Sequence, residues 1–213
     1  MLKRLKKIVE TYVRTVVRQI ARTINALSRG HISPNAVTLT GLVAHLPIAL
    51  LIATGHPYWA AGLLVIFGLF DTLDGELARL QKRVSDVGGF LDTVSDRVKE
   101  LLIYTGLIYF FAQHGQTVNV LVVTMFACGM SLIIPFVKAK GEAIVATHGS
   151  KQSYDKLNRR FGGGILSYEI RIFLLIIGLL AGIKILPWII TAIAILATIT
   201  VIERFIGIMR SIK

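Results

Sequence analysis

Acidic residues are scarce in this chain, and cysteine is nearly absent. Of 213 residues only 12 are Asp or Glu, against 24 Lys and Arg. Charged residues make up 17% of the sequence, well under the roughly 25% of soluble domains. The single cysteine, Cys128, lies inside an apolar run. Standing alone, it gives no sign of a disulfide framework or a zinc site, and reads as a small core hydrophobe. No internal repeat and no low-complexity tract is visible. The N-terminus is basic and amphipathic, without the short apolar core and small-residue cleavage site of a removable signal peptide.

What the chain has instead is hydrocarbon: 54% of residues are hydrophobic and the mean hydropathy is +0.68. Leu42 to Thr54, Trp59 to Phe70, Leu101 to Phe111, Val118 to Val137, Ile172 to Ile183 and Ile185 to Ile202 are almost uncharged. A membrane span takes about 20 mostly apolar residues. With their polar ends, these runs predict six transmembrane helices over 34–54, 58–82, 86–113, 117–147, 165–183 and 186–211. Helices two, three and four exceed a bilayer's need, so they project or tilt. Residues 148–164 are polar and basic, end in three glycines, and read as a flexible loop.

Residues Leu2 to Leu27 place Leu5, Ile8, Tyr12, Val16, Ile20 and Ile24 at helical spacing among Lys3, Lys7, Arg14, Arg18 and Arg22. That pattern fits a helix lying in the membrane interface. A soluble amphipathic helix packed on a partner is the alternative. The expected fold class is therefore all-α and integral to the membrane. It is a single domain over 1–213, with an interfacial helix in 1–30 and a six-helix bundle in 33–211.

The net charge of +12 raises nucleic acid as a partner, but its distribution argues against that. The expected hairpins near Gly55-His56-Pro57, Gln113–Gln116 and Ala181–Pro187 contain only Lys184 among all 24 Lys and Arg. Positive charge marks cytoplasmic loops, so both termini are expected in the cytoplasm of a multi-pass cell-membrane protein. The basic surface then faces anionic lipid headgroups of the bilayer. Trp59 and Trp188 fit the outer interface, where aromatics anchor. Gly68, Gly106, Gly129 and Gly178 read as helix-packing positions.

The few acids concentrate in "FDTLDGELARLQKRVSDVGGFLDTVSD", Phe70 to Asp96. Asp71 and Asp74, three apart, share one helix face; Gly88, Asp92 and Asp96, four apart, make one stripe of the next helix. A short turn joins the two helices, so the stripes are expected to face each other as antiparallel neighbours. Four converging carboxylates repel one another unless cations intervene, and hard divalent ions take oxygen ligands. Gly75 and Gly88 remove bulk beside them, and Arg79 offers a bidentate contact to phosphate. Together these suggest metal-assisted chemistry on a phosphorylated substrate at the membrane face. The plainer alternative is pairing of the acids with Arg79, Lys82, Arg83, Arg97 and Lys99. Glu76 and Asp86 read as bystanders.

The stretch resembles the CDP-alcohol phosphotransferase signature D-x2-D-G-x2-A-R-x8-G-x3-D-x3-D, matched by Asp71, Asp74, Gly75, Ala78, Arg79, Gly88, Asp92 and Asp96. The resemblance implies an enzyme of phospholipid synthesis. An acceptor hydroxyl attacks a CDP-linked lipid, CDP-diacylglycerol or CDP-archaeol, and CMP leaves. It implies that Asp71, Asp74, Asp92 and Asp96 hold two Mg²⁺ or Mn²⁺ ions, with Asp96 also the general base. Gly75, Arg79, Ser85 and the turn Ser33-Pro34-Asn35-Ala36 become CDP-lipid contacts, although helix capping alone explains Ser33 and Pro34. It also implies a homodimer.

"ISPNAVTLTGLV" resembles the start of phosphatidylinositol phosphate synthases and of aminoalcohol transferases, and "FVKAKGEA" (Phe136 to Ala143) resembles a segment of phosphatidylinositol phosphate synthases. The family's E-R-x-E-R segment corresponds here to Ser167-Tyr168-Glu169-Ile170-Arg171, with Tyr168 in place of one Arg. The resemblance implies inositol phosphate as acceptor, its phosphate held by Lys138, Lys140, Arg171 and Arg204. Glycerol 3-phosphate, serine and aminoalcohols are the alternatives. Outside this class, a transporter with buried carboxylates and a lipid-binding membrane scaffold remain.

Overall fold

The structure is a computed structural model that describes residues 2–147 and 164–212. The expected loop over 148–164 therefore lies outside the described residues except for Gly164. Among the described residues every regular element is helical: α1 (Leu2–Leu27), α2 (Pro34–Ala53), α3 (Pro57–Gly68), α4 (Phe70–Leu80), α5 (Asp86–Gln113), α6 (Val118–Thr147), α7 (Tyr168–Ala181) and α8 (Leu186–Ile212).

Local chemistry sets the helix starts. Ser33 caps α2, its hydroxyl accepting from the Ala36 amide, and Pro34 opens the first turn. Ser85 caps α5 in the same way on the Gly88 amide. The hairpins fall where expected. Gly55 and Gly182 adopt φ of +81° and +87° just after α2 and α7, a conformation L side chains resist.

Among the described residues three helices are long and apolar enough to cross a bilayer: Pro34–Ala53, and most of α6 and α8, Val118–Ile144 and Leu186–Arg210. The 20 residues of the first make about 30 Å of helix. The other three expected spans differ in physical character. The helix expected over 58–82 is interrupted at Leu69, leaving apolar α3 of 12 residues and amphipathic α4 of 11. Helix α5 carries its charges between Asp86 and Glu100, and α7 has only 14 residues.

Helix α2 is the central post. It packs on α3, α4 and α5, while α6 joins α5 to α8, α7 bridges α3 and α8, and α1 lies against α4. Helices α4 and α5 make no comparable backbone contact. Their acidic faces nevertheless meet through side chains, Asp71 reaching Asp92 and Asp96 as the sequence suggested, while α2 stands against both. Between α2 and α5 the backbones touch: a Cβ at Gly106 would stand 2.6 Å from the Ala49 carbonyl oxygen. Gly178 is similarly tight, 2.6 Å from the Leu186 side chain, whereas a Cβ at Gly68 or Gly129 would meet nothing within 4 Å among the described residues. Trp59 and Trp188 are both exposed, near the starts of α3 and α8.

The close approach at Gly106 yields a stability prediction. Gly106→Val forces α2 from α5 and is expected to cost about 1–3 kcal/mol, the usual range for overpacking. Gly129→Ala is expected to be near neutral. Thermal unfolding of both variants in detergent checks the contrast.

Candidate active site

The acidic residues meet because three helices end their polar portions at one place. Asp71 and Asp74 come from α4, Asp92 and Asp96 from α5, and Thr38 and Gly41 from α2. Carboxylate oxygens of Asp71, Asp92 and Asp96 all lie within 4.8 Å of one another. Asp74 stands apart from that trio. It is buried and accepts from the Thr38 hydroxyl at 2.5 Å.

The trio fits a hard divalent cation. Its ligands are oxygens at short mutual range, and Asp92 Oδ1 is buried with no hydrogen-bond partner among the described residues. A buried acceptor without a donor is costly unless something else supplies positive charge. Lys99 meets part of that demand, its ammonium contacting Asp71 and, at 3.4 Å, Asp96. Its side chain is wholly buried. The sequence placed Lys99 only among generic pairing partners.

Around the trio, Gly88 lies under the Asn35 side chain, where a Cβ would stand 3.3 Å from Asn35 Oδ1 and 3.3 Å from Ser85 Oγ. The start of α2 and the start of α5 therefore meet, with Asn35 beside Ser85; Ser33, Pro34 and Ala36 flank Asn35 in the same turn. Gly75 has the Arg79 guanidinium over it, 3.5 Å from a would-be Cβ. Arg79 donates to Glu76 at 2.9 Å and remains half exposed. Glu76 is no bystander: it is buried, and it also accepts from Arg18 of α1 at 3.2 Å. Two guanidinium hydrogen bonds compensate its buried charge. Glu76 thus both aims Arg79 and docks α1.

On the other side, Asp96 leads into a line of charges. Arg97 lies 3.7 Å from Asp96 and donates to Glu100 at 3.0 Å. Glu100 is wholly buried and also receives Arg171 through two bonds, at 2.7 and 3.1 Å. Arg97 and Arg171 both sit over the Tyr168 ring, at 5.5 and 5.8 Å. The guanidinium of Arg171, expected to hold an acceptor phosphate, is therefore engaged in a buried pair. Arg204 donates to the Ile134 carbonyl at 2.9 Å, Lys138 lies 3.8 Å from Glu142, and Lys140 is exposed. Glu100 continues the four-residue stripe of Gly88, Asp92 and Asp96, a signal the sequence offered and a reading confined to the signature passes over.

A profile of the CDP-alcohol phosphatidyltransferase family matches residues 31–201, and the chain belongs to that family. Among curated relatives, the phosphatidylinositol phosphate synthase of Mycobacteroides abscessus is 34% identical over 120 residues, 56% of this chain and 54% of that protein. The namesake of Streptomyces avermitilis is 29% identical over 157 residues, 71% of this chain and 64% of that one. That of Mycobacterium marinum is 31% identical over 175 residues, 79% and 68%. The match thus spans 54% and 64% of the first two relatives' lengths. Two crystal structures of Mycobacterium tuberculosis phosphatidylinositol phosphate synthase superpose with a TM-score of 0.76 at 25% identity. One is in complex with manganese and citrate and the other has CDP-DAG bound. The superpositions cover 91% of this chain, and 88% and 94% of those chains.

The Glu100–Arg171 pair makes a direct prediction. Removing one partner leaves a buried, uncompensated charge. Glu100→Ala is expected to destabilise the protein by about 3–5 kcal/mol, whereas Glu203→Ala, at an exposed position, changes it by less than about 0.5 kcal/mol. Thermal unfolding in detergent measures both.

Proposed function

We propose that this chain transfers the phosphatidyl or archaetidyl group of a CDP-lipid to a hydroxyl of inositol phosphate, releasing CMP. The observation that carries this reading is the Asp71, Asp92, Asp96 trio with its unpartnered Asp92 oxygen, lying within the family's signature. The relatives named phosphatidylinositol phosphate synthase support the acceptor.

In this reading Asp71, Asp74, Asp92 and Asp96 hold two Mg²⁺ or Mn²⁺ ions, with Asp74 leaving Thr38 to join the trio. The manganese complex of the related structure supports a divalent metal. Such ions supply positive charge beside the diphosphate. Gly75 admits the diphosphate close to the backbone, and Arg79, aimed by Glu76, donates to it. Ser33, Pro34, Asn35, Ala36 and Ser85 border the nucleotide. Asp96 receives the proton of the acceptor hydroxyl while that oxygen bonds to the phosphorus distal to cytidine. The bond from that phosphorus to the bridging oxygen breaks, and the electron pair leaves with CMP. Arg97 lies beside Asp96 and borders the place where the proton is received. Lys138, Lys140 and Arg204 receive the acceptor's phosphate. Arg171 acts behind them through Glu100, or swings forward to join them.

The same reading completes the membrane layout. Helices α3 with α4, α5 and α7 supply the other three of six spans, and α1 lies in the cytoplasmic interface. The active site and both termini face the cytoplasm, and the chain works as a homodimer.

Purified protein in detergent, given Mn²⁺ and CDP-diacylglycerol, is expected to release CMP with inositol phosphate and not without acceptor. Asp92→Ala is expected to lower the rate at least about 100-fold. A panel that responds to glycerol 3-phosphate alone overturns the acceptor, and full activity of the Asp92 variant overturns the metal reading.

A further inference from the structure

Lys99 is an anomaly in a site that takes divalent cations. Its ammonium contacts two of the three clustered carboxylates, Asp71 and Asp96, and its side chain is wholly buried. A lysine in a membrane protein ordinarily snorkels its charge to water; this one, midway along α5, turns inward, facing Gly41 of α2 with Nζ 3.8 Å from a would-be Cβ. Arg97, by contrast, keeps a quarter of its side chain exposed and lies 3.7 Å from Asp96. The chain therefore brings its own cation to the place where an added one must go.

We infer that Lys99 is a tethered counter-cation that holds the carboxylate cluster together without metal and competes with the divalent ion for Asp71 and Asp96. The inference rests on the reading that this cluster is the metal site. Two consequences follow from charge alone. Without metal, three carboxylates within 4.8 Å depend on the Lys99 ammonium to offset their repulsion. With metal, that ammonium is a like charge beside the incoming ion, so it weakens binding. Asp92, untouched by Lys99 and with an unpartnered oxygen, is the first foothold for the ion. Loading then displaces the lysine from Asp71 and Asp96.

The test measures Mn²⁺ affinity by electron paramagnetic resonance, and melting temperature with chelator and with saturating Mn²⁺. It compares the full-length protein with Lys99→Met and Lys99→Arg. Lys99→Met is expected to bind Mn²⁺ about tenfold more tightly than the parent. It is also expected to melt several degrees lower in chelator and to recover to the parent value with Mn²⁺. Lys99→Arg keeps the charge and stays near the parent in both readouts. A purely structural lysine gives the opposite pattern, with stability lost whether or not Mn²⁺ is present and affinity unchanged or weaker, and that result overturns the inference. Should Lys99→Met fail to fold, Asp71→Asn/Lys99→Met removes one charge of each sign. It is expected to fold in chelator, and its failure also overturns the inference. If the parent and every variant fail to bind Mn²⁺, the metal reading itself falls and this inference with it. Equal Mn²⁺ binding by parent and Lys99→Met overturns the inference alone.

Discussion

The mutual repulsion of carboxylates gathered at the ends of α4 and α5 is the constraint around which the polar half of this molecule is organised. Three carboxylate oxygens within 4.8 Å are tolerable in a protein interior only with nearby positive charge or donors. The chain meets that need piecemeal. Lys99 covers Asp71 and Asp96, Thr38 covers Asp74, and Arg97 borders Asp96. One Asp92 oxygen stays unpartnered. That residual deficit is what supports reading the place as a binding site and not merely as an ion-pair network.

The deficit also explains why so much of the structure converges there. Helix α2 must stand close to both α4 and α5 for Thr38 to reach Asp74, and the Gly106 contact with Ala49 permits that approach. Helix α1 is fastened to α4 by Arg18 on Glu76, and by Val17 and Ala21 packed with Leu73 and Leu77. Helix α7 is tied in by Arg171 on Glu100. Two buried glutamates thus carry the signature helices outward in opposite directions, Glu76 toward the amphipathic helix and Glu100 toward α7. Glu100 also links Arg171, through Arg97, to Asp96, so residues on the acceptor side and the proposed base share one network. Networks of this kind respond to substitution as units.

Much of the fold was legible in the chain. Apolar runs separated by turn residues placed the hairpins within a residue or two, because hydrophobic length and Gly/Pro punctuation act locally. Asp92 and Asp96 were readable as one stripe, since a helix fixes which residues share its face. The interruption at Leu69 was not visible, because the apolar run continues through it unbroken to Phe70. Nor was the packing of α2 against both signature helices. A short turn between α4 and α5 suggested that they face each other, but turn length does not decide which third helix stands against both.

By itself, then, the sequence determined an all-helical membrane chain, its helix starts and stops, and the small set of acids able to meet at one end of it. These follow from periodicity, capping and hydrophobicity, which operate over a few residues. Only the tertiary structure decided which cation meets which anion. Lys99 reaches Asp71 across 28 residues, Arg18 reaches Glu76 across 58, and Arg171 reaches Glu100 across 71. The same decision separated Asp74 from the trio and turned Lys99 inward. Local spacing can align charges on one helix, but the pairing between helices is set by how their backbones pack, and that depends on the whole chain.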